Sequence, residues 1–169
     1  MHLHVTIDLP TDPRTVARLL AAPEYVRAKA EGAGAADPHV DVTGSVDGAF
    51  TVTTRRLLAT EQIPPHLRGF VGSRIDVRQV EAWEAADEHG ARHGTVVVEI
   101  AGAPVRVTGR STLAAAPEGS QIVYDGDVRA AVPLFAAAVE EAAASAVEAT
   151  LLAEREVALR HLSRGGTAS

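Results

Sequence analysis

Residues 133–162 read PLFAAAVEEAAASAVEATLLAEREVALRHL, with no glycine and no proline after the first position. Alanine, leucine, glutamate and arginine are strong helix formers, so the stretch predicts one long helix, about 45 Å at 1.5 Å per residue. One side collects Val132, Phe135, Ala136, Val139, Ala143, Ala146, Val147, Thr150, Val157 and Ala158, and the other holds Glu141, Glu148 and Arg155. An amphipathic helix of this kind has one face to bury. Much of that face is alanine, which offers a single methyl group to whatever packs against it.

Upstream, from about residue 37 to 130, the period changes from helical to two. Val40/Val42, Phe50/Val52, Ile75/Val77, Val96/Val98/Ile100, Val105/Val107 and Ile122/Tyr124 each alternate with polar neighbours, the pattern of strands with one buried face. Asp47-Gly48, Glu88-His89-Gly90, Ala101 to Pro104 and Pro117-Glu118-Gly119 mark turns between them. Connections this short imply antiparallel neighbours, because parallel ones need crossovers of a dozen residues or more. The longer break from Thr60 to Gly72 contains Pro64-Pro65 and reads as an irregular or single-turn helical connection.

The chain opens with a further strand, Leu3, Val5, Ile7 and Leu9 alternating with His2, His4, Thr6 and Asp8. Thr11-Asp12-Pro13 caps a short helix ending near Ala22, and Pro23 restarts a second that closes at Glu31 to Gly34. The resulting architecture is α+β: a seven-stranded curved antiparallel sheet wrapped around a long C-terminal helix, with two short helices after the first strand. One domain spans residues 1–163, and 164–169 form a flexible tail. A curved sheet closed by an alanine-lined helix leaves space, so an apolar cavity is expected between them.

This order resembles the START-like, or SRPBCC, helix-grip superfamily of Bet v I-type proteins, polyketide cyclases and lipid-transfer domains, over residues 2–162. His4-Val5-Thr6-Ile7-Asp8-Leu9-Pro10, Glu81-Ala82-Trp83, and Val132-Pro133-Leu134 through Glu154-Arg155-Glu156 look like an uncharacterised bacterial branch, a domain of unknown function. The resemblance implies a ligand cavity between sheet and helix. It leaves the function open among carriers, enzymes and co-chaperones.

Composition narrows the classes. A net charge of −6 argues against nucleic acid, whose phosphates call for clustered basic residues. There is no cysteine, which excludes disulfides and thiolate chemistry and suits a reducing compartment, the cytoplasm by default. The N-terminus lacks the basic and apolar regions of a signal peptide, and the longest apolar run, Ala130 to Val139, is too short to span a bilayer.

No nucleophile elbow or phosphate loop is present. His2 and His4 share a strand face at a spacing that suits two metal ligands, but read as solvated, as do His89 and His93 at a turn. No metal or cofactor is expected. Asp125 and Asp127 should face outward. Thr54, Gln79, Ser111 and Tyr124 fall on the apolar phase of their strands, where each needs a partner or a ligand. Arg56 shares the phase of Phe50 and Val52, suited either to an anionic head group at a cavity mouth or to a rim salt bridge. Glu154, at the edge of the helix stripe, reads as a carboxylate reaching solvent.

The expected role is non-catalytic binding of a small hydrophobic molecule, such as a lipid, acyl or polyketide-like compound, in a cavity of about 300 Å³ or more. Its walls would be Phe50, Val52, Thr54, Arg56, Trp83, Val98, Val107, Tyr124, Val128, Phe135, Val139 and Ala143. Two alternatives stand beside it. One is a cyclase- or aromatase-like enzyme using the same cavity. The other is a co-chaperone-like interaction module using Leu134, Leu152 and Leu159, with the chain a monomer or a homodimer.

Overall fold

The computed structural model describes residues 1–59, 65–70 and 74–165. In chain order the elements are β1 (His2–Leu9), α1 (Pro13–Leu20), α2 (Pro23–Gly32), β2 (Ala36–Gly44), β3 (Phe50–Ala59), β4 (Arg74–Trp83), β5 (Arg92–Ala101), β6 (Val105–Ala116), β7 (Gly119–Ala130) and α3 (Ala136–Gly165). A 3-10 turn, Pro65–Phe70, occupies the middle of the connection between β3 and β4, and the rest of that connection lies outside the described residues.

Seven strands form one antiparallel sheet in the order β1-β7-β6-β5-β4-β3-β2. Hairpins join β2 through β7, and β7 then meets β1, so the first strand and the last are neighbours. Each strand places its apolar phase on the concave face: Leu3, Val5, Ile7 and Leu9 of β1 are all buried while their neighbours are exposed. Across that face α3 packs against β1, β7 and β6, and along its length against α2. This is the helix-grip arrangement that the period changes imply.

Local chemistry fixes the ends of the helices. Asp12 caps α1, its Oδ1 accepting the backbone N–H of Thr15 at 3.0 Å and its Oδ2 the Thr15 hydroxyl at 2.7 Å. The long helix starts three residues later than its sequence suggests. Leu134 has φ +66°, in the left-handed region, so Pro133 to Phe135 form a turn before the helical ladder begins with Val139 N–H donating to Phe135. At the other end the helix continues through Arg164 and Gly165, two residues assigned above to the tail, and residues 166–169 lie outside the described residues.

The hairpin between β2 and β3 is held by a side chain from β5. Arg92, 4% exposed, donates Nη1–H to Gly48 O at 2.7 Å and to Glu84 O at 2.9 Å, and Nη2–H to Val46 O. Its guanidinium also stands 5.4 Å from the Phe50 ring centroid. No helix among the described residues is long and apolar enough to cross a membrane.

Candidate functional site

The strand registers align the concave face in rows. One row runs Leu3, Gly126, Gly109, Val96, Glu81, Val52 across six strands. Gly109 and Gly126 face each other within it, so the centre of the sheet is bare backbone. The approach requires glycine: a Cβ on Gly109 would stand 2.7 Å from the Asp125 carbonyl oxygen, and one on Gly126 would stand 2.7 Å from Gly109 Cα. Opposite this patch α3 presents Ala143 and Ala146. With no side chain from the sheet and a single methyl from each of these helix residues, a void remains between the layers.

That void is about 130 Å³. Leu3, Val77, Val96, Val98, Ile100 and Val107 line it from the sheet, and Val147 and Leu151 from the helix. It is smaller than the sequence reading anticipates, because Val147 and Leu151 occupy space that an all-alanine face would leave empty. An apolar cavity of about 150 Å³ is enough to take one benzene ring.

One end of the cavity is polar. Arg56, Gln79, Tyr124 and Glu154 border it, and Arg56, Gln79 and Glu154 also border an adjoining space of about 10 Å³ together with Lys29, Thr54 and Glu81. Lys29 Nζ lies 3.0 Å from Glu154 Oε2 and 3.4 Å from Glu81 Oε1, and Gln79 Nε2 donates to Glu81 Oε1 at 2.7 Å. All three charged residues are buried. Two polar atoms of the cavity wall, Arg56 Nε and Glu154 Oε1, are buried without a hydrogen-bond partner among the described residues, as is Thr54 Oγ1 beside them.

Burial and charge oppose each other here. Burial alone would lower the Lys29 pKa, but the attraction of Glu154 and Glu81 outweighs it and holds the ammonium well above its ordinary value. Burial raises the Glu154 carboxyl, with Lys29 pulling it back and Glu81 adding to the rise. Burial likewise pushes the Tyr124 hydroxyl well above the usual phenol range, so it stays protonated, and lowers the Arg56 guanidinium below its ordinary value.

The twelve wall residues expected from sequence divide into four groups. Arg56, Val98, Val107, Tyr124 and Ala143 line the cavity, and Val52 and Thr54 line the adjoining space. Phe50, Trp83, Val128 and Val139 are buried core residues away from it. Trp83 packs 6.5 Å from the Phe50 ring, in the space left by its cross-strand neighbour Gly94, where a Cβ would come within 3.1 Å of the indole. Phe135 is 49% exposed, because the turn at Leu134 carries it off the helix face. Arg56 borders the cavity, where a rim salt bridge was the alternative expectation. Glu154 does not reach solvent: it is 4% exposed, one turn from Leu151 and from Val157 and Ala158 on the buried face.

The outer face behaves differently. His2 Nε2 and His4 Nδ1 approach Asp125 Oδ2 at 3.4 and 3.0 Å, and all three side chains are more than half exposed. The hydrogen bond from His4 holds the Asp125 carboxyl below its ordinary value. Among the described residues no three histidine, cysteine or carboxylate side chains are arranged to hold a metal ion. Leu134 and Leu152 are exposed, but Leu159 packs on the core, and roughly 27 Å of chain at helical rise separates the first two. They form no continuous patch.

Residues 4–162 match the family described as a protein of unknown function, DUF2505. The chain belongs to the DUF2505 family. No curated protein matches the sequence. Among solved structures, TTHA0849 from Thermus thermophilus shares 16% identity over 95% of this chain and 99% of its own, with a TM-score of 0.62. A STAR-related lipid transfer protein from Xanthomonas axonopodis, solved as a fragment, shares 18% identity over 90% of this chain and 82% of its own, with a TM-score of 0.52. Ara h 8.0201 shares 13% identity over 95% and 98%, with a TM-score of 0.52. At these identities the likeness is one of fold, and it is the START-like helix-grip fold.

Sequence reasoning missed the Lys29, Glu81 and Glu154 cluster of this DUF2505 protein, although a signal was present. Glu81 has the phase of Ile75, Val77, Gln79 and Trp83 on β4, and Lys29 lies three residues after Val26 and four after Tyr25, both buried. Each charge sits at an apolar position of its own element. The three elements bring those positions to one place.

Proposed function

We propose that this DUF2505 protein binds a small apolar molecule in the cavity between the concave sheet face and α3. The observation that carries the reading is the void itself, walled mainly by valine, leucine and isoleucine side chains over a floor of two glycines, with a few polar residues among them. Apolar walls supply affinity through the area they remove from water, and a few placed polar groups supply orientation. Lipid-transfer and Bet v I-type relatives of the fold make carriage the natural role, and the resting volume favours a ligand of one ring or a short branched chain over a long acyl tail. Val98, Val107, Tyr124, Ala143 and Arg56 are the contact residues under this proposal.

The test is native mass spectrometry of freshly purified protein beside a denatured control. A reproducible small-molecule mass lost on unfolding supports binding. Absence of any adduct, together with no response to added small apolar probes, would sink it.

A second reading, an enzyme moving protons in the same cavity, draws on the buried carboxyl of Glu154 and the hydroxyl of Tyr124 bordering one space. It would use these groups and not His2, His4, His89 or His93, which are all exposed.

A further inference from the structure

We propose that the tip formed by the turn between β5 and β6 and the segment leading into α3 docks on a lipid bilayer. The starting observation is Leu134, which is 99% exposed and holds φ +66°. Both properties work against a leucine. A left-handed backbone is costly for a residue with a Cβ and cheapest for glycine, and a side chain in water gains nothing from being apolar. A leucine so fully exposed offsets neither cost inside the fold, which points to a surface outside it.

The surroundings decide what that surface is. Residues 100–105, IAGAPV, and 130–139, AAVPLFAAAV, contain no charged side chain. The sheet brings the two segments together, with Val105 opposite Ala130 and Ala131 N–H donating to Pro104 O at 2.8 Å. Gly102, Pro104, Ala131 and Pro133 are exposed there along with Leu134. One residue in from each segment stand Arg106 and Arg129, directly opposite each other and 59% and 71% exposed. Like charges facing across two strands destabilise the pairing, and an anion between them reverses that. Both arginines border one open groove of about 450 Å³ with Pro104, Val105, Ala130 and Ala131. Glu99, on the same groove, approaches Arg106 at 3.5 Å, and Asp127 approaches Arg129 at 3.4 Å. Exposed bridges of this kind are weak enough to exchange for a phosphate.

A projecting apolar tip backed by a pair of arginines matches the bilayer interface, where the leucine reaches the acyl boundary and the guanidiniums meet lipid phosphates. A protein partner is met instead by a contiguous apolar patch of a few hundred Å². One leucine standing clear of its neighbours is not such a patch. The proposal holds whether or not the cavity takes a ligand.

The experiment is co-sedimentation with sucrose-loaded vesicles of phosphatidylcholine, with and without phosphatidylglycerol. The protein should bind both, and the anionic lipid should tighten binding. Leu134→Gly should weaken binding to both vesicles roughly tenfold, the partitioning of one leucine side chain, while its urea midpoint stays at or above that of the parent because glycine suits the left-handed backbone. Arg106→Gln with Arg129→Gln should abolish the gain from phosphatidylglycerol and keep binding to phosphatidylcholine. Leu152→Ser, at an exposed position elsewhere on α3, should bind as the parent does. No sedimentation of the parent with either vesicle, equal binding by Leu134→Gly, an equal loss in Leu152→Ser, or a phosphatidylglycerol gain that survives removal of both arginines would each overturn the proposal. The comparison of the two vesicles on the parent does not depend on any variant folding.

Discussion

Gly109 on β6 and Gly126 on β7 are cross-strand partners on the concave face, so close that a Cβ on Gly126 would stand 2.7 Å from the Cα of Gly109. The pair has two effects. It lets the two strands meet without side chains between them, and it leaves the floor of the cavity empty beneath Ala143 and Ala146.

Gly126→Ala should therefore both strain the sheet and shrink the cavity. Overpacking of this kind costs about 1–3 kcal/mol. Urea denaturation should show a lower midpoint with an unchanged slope, and binding of benzene as a small apolar probe, followed by NMR, should weaken. A variant as stable as its parent would mean that the strands accommodate the methyl group freely.

Lys29→Met should be among the most damaging single substitutions in the chain, because it strands Glu154 and Glu81 without their shared cation. Removing one member of a buried ion pair costs about 3–5 kcal/mol. Adding Glu154→Leu should restore much of the loss, since an apolar replacement of the pair leaves only Glu81, still held by Gln79 at 2.7 Å. A double-mutant cycle by chemical denaturation measures the coupling, and simple additivity of the two losses would refute it.

The raised carboxyl of Glu154 gives stability a defined pH dependence. Between the ordinary value of 4.5 and its higher folded-state value, the native protein holds a proton that the unfolded chain has released. Stability from this group therefore falls as pH rises through that window and levels off above it. In Glu154→Gln the fall is absent. The difference in urea midpoint, parent minus variant, should decline as pH rises from about 4.5. A rising difference would show that the ionised carboxylate is the form that folding favours.

Arg92→Ala should loosen one end of the sheet and spare the cavity. Three carbonyls, Val46, Gly48 and Glu84, lose a charged donor, with a cost of about 2 kcal/mol. Hydrogen exchange should accelerate in residues 44–50 while amides of β6 and β7 keep their protection. Uniform acceleration across all strands would instead mean that the hairpin opens only with the whole domain.

The sheet was legible because period-two alternation is a direct record of which face is buried, and Leu3 to Leu9 carries it without interruption. The long helix was legible from an unbroken run of helix formers, but its start was not, since nothing about Leu134 announces a left-handed backbone. Part of the candidate site followed the same logic: Arg56, Val98, Val107 and Tyr124 sit on the inner phase of their strands and border the cavity. Trp83 and Phe50 share that phase but lie at the far end of their strands, and distance along a strand from a void is a tertiary fact that alternation does not encode. The charged cluster was hidden for a different reason. Each of Lys29, Glu81 and Glu154 reads alone as an unfavourable burial, and only the convergence of α2, β4 and α3 makes it tolerable.

The contact between Lys29 and Glu154 fastens α3, the roof of the cavity, to α2. A guest wider than the resting void would have to lift that roof and draw the two charges apart. Separation costs about 3 kcal/mol, which is roughly a hundredfold in affinity. Under the proposed binding role, the upper size limit on a guest is then set by an electrostatic clasp on a neighbouring helix as well as by the apolar walls.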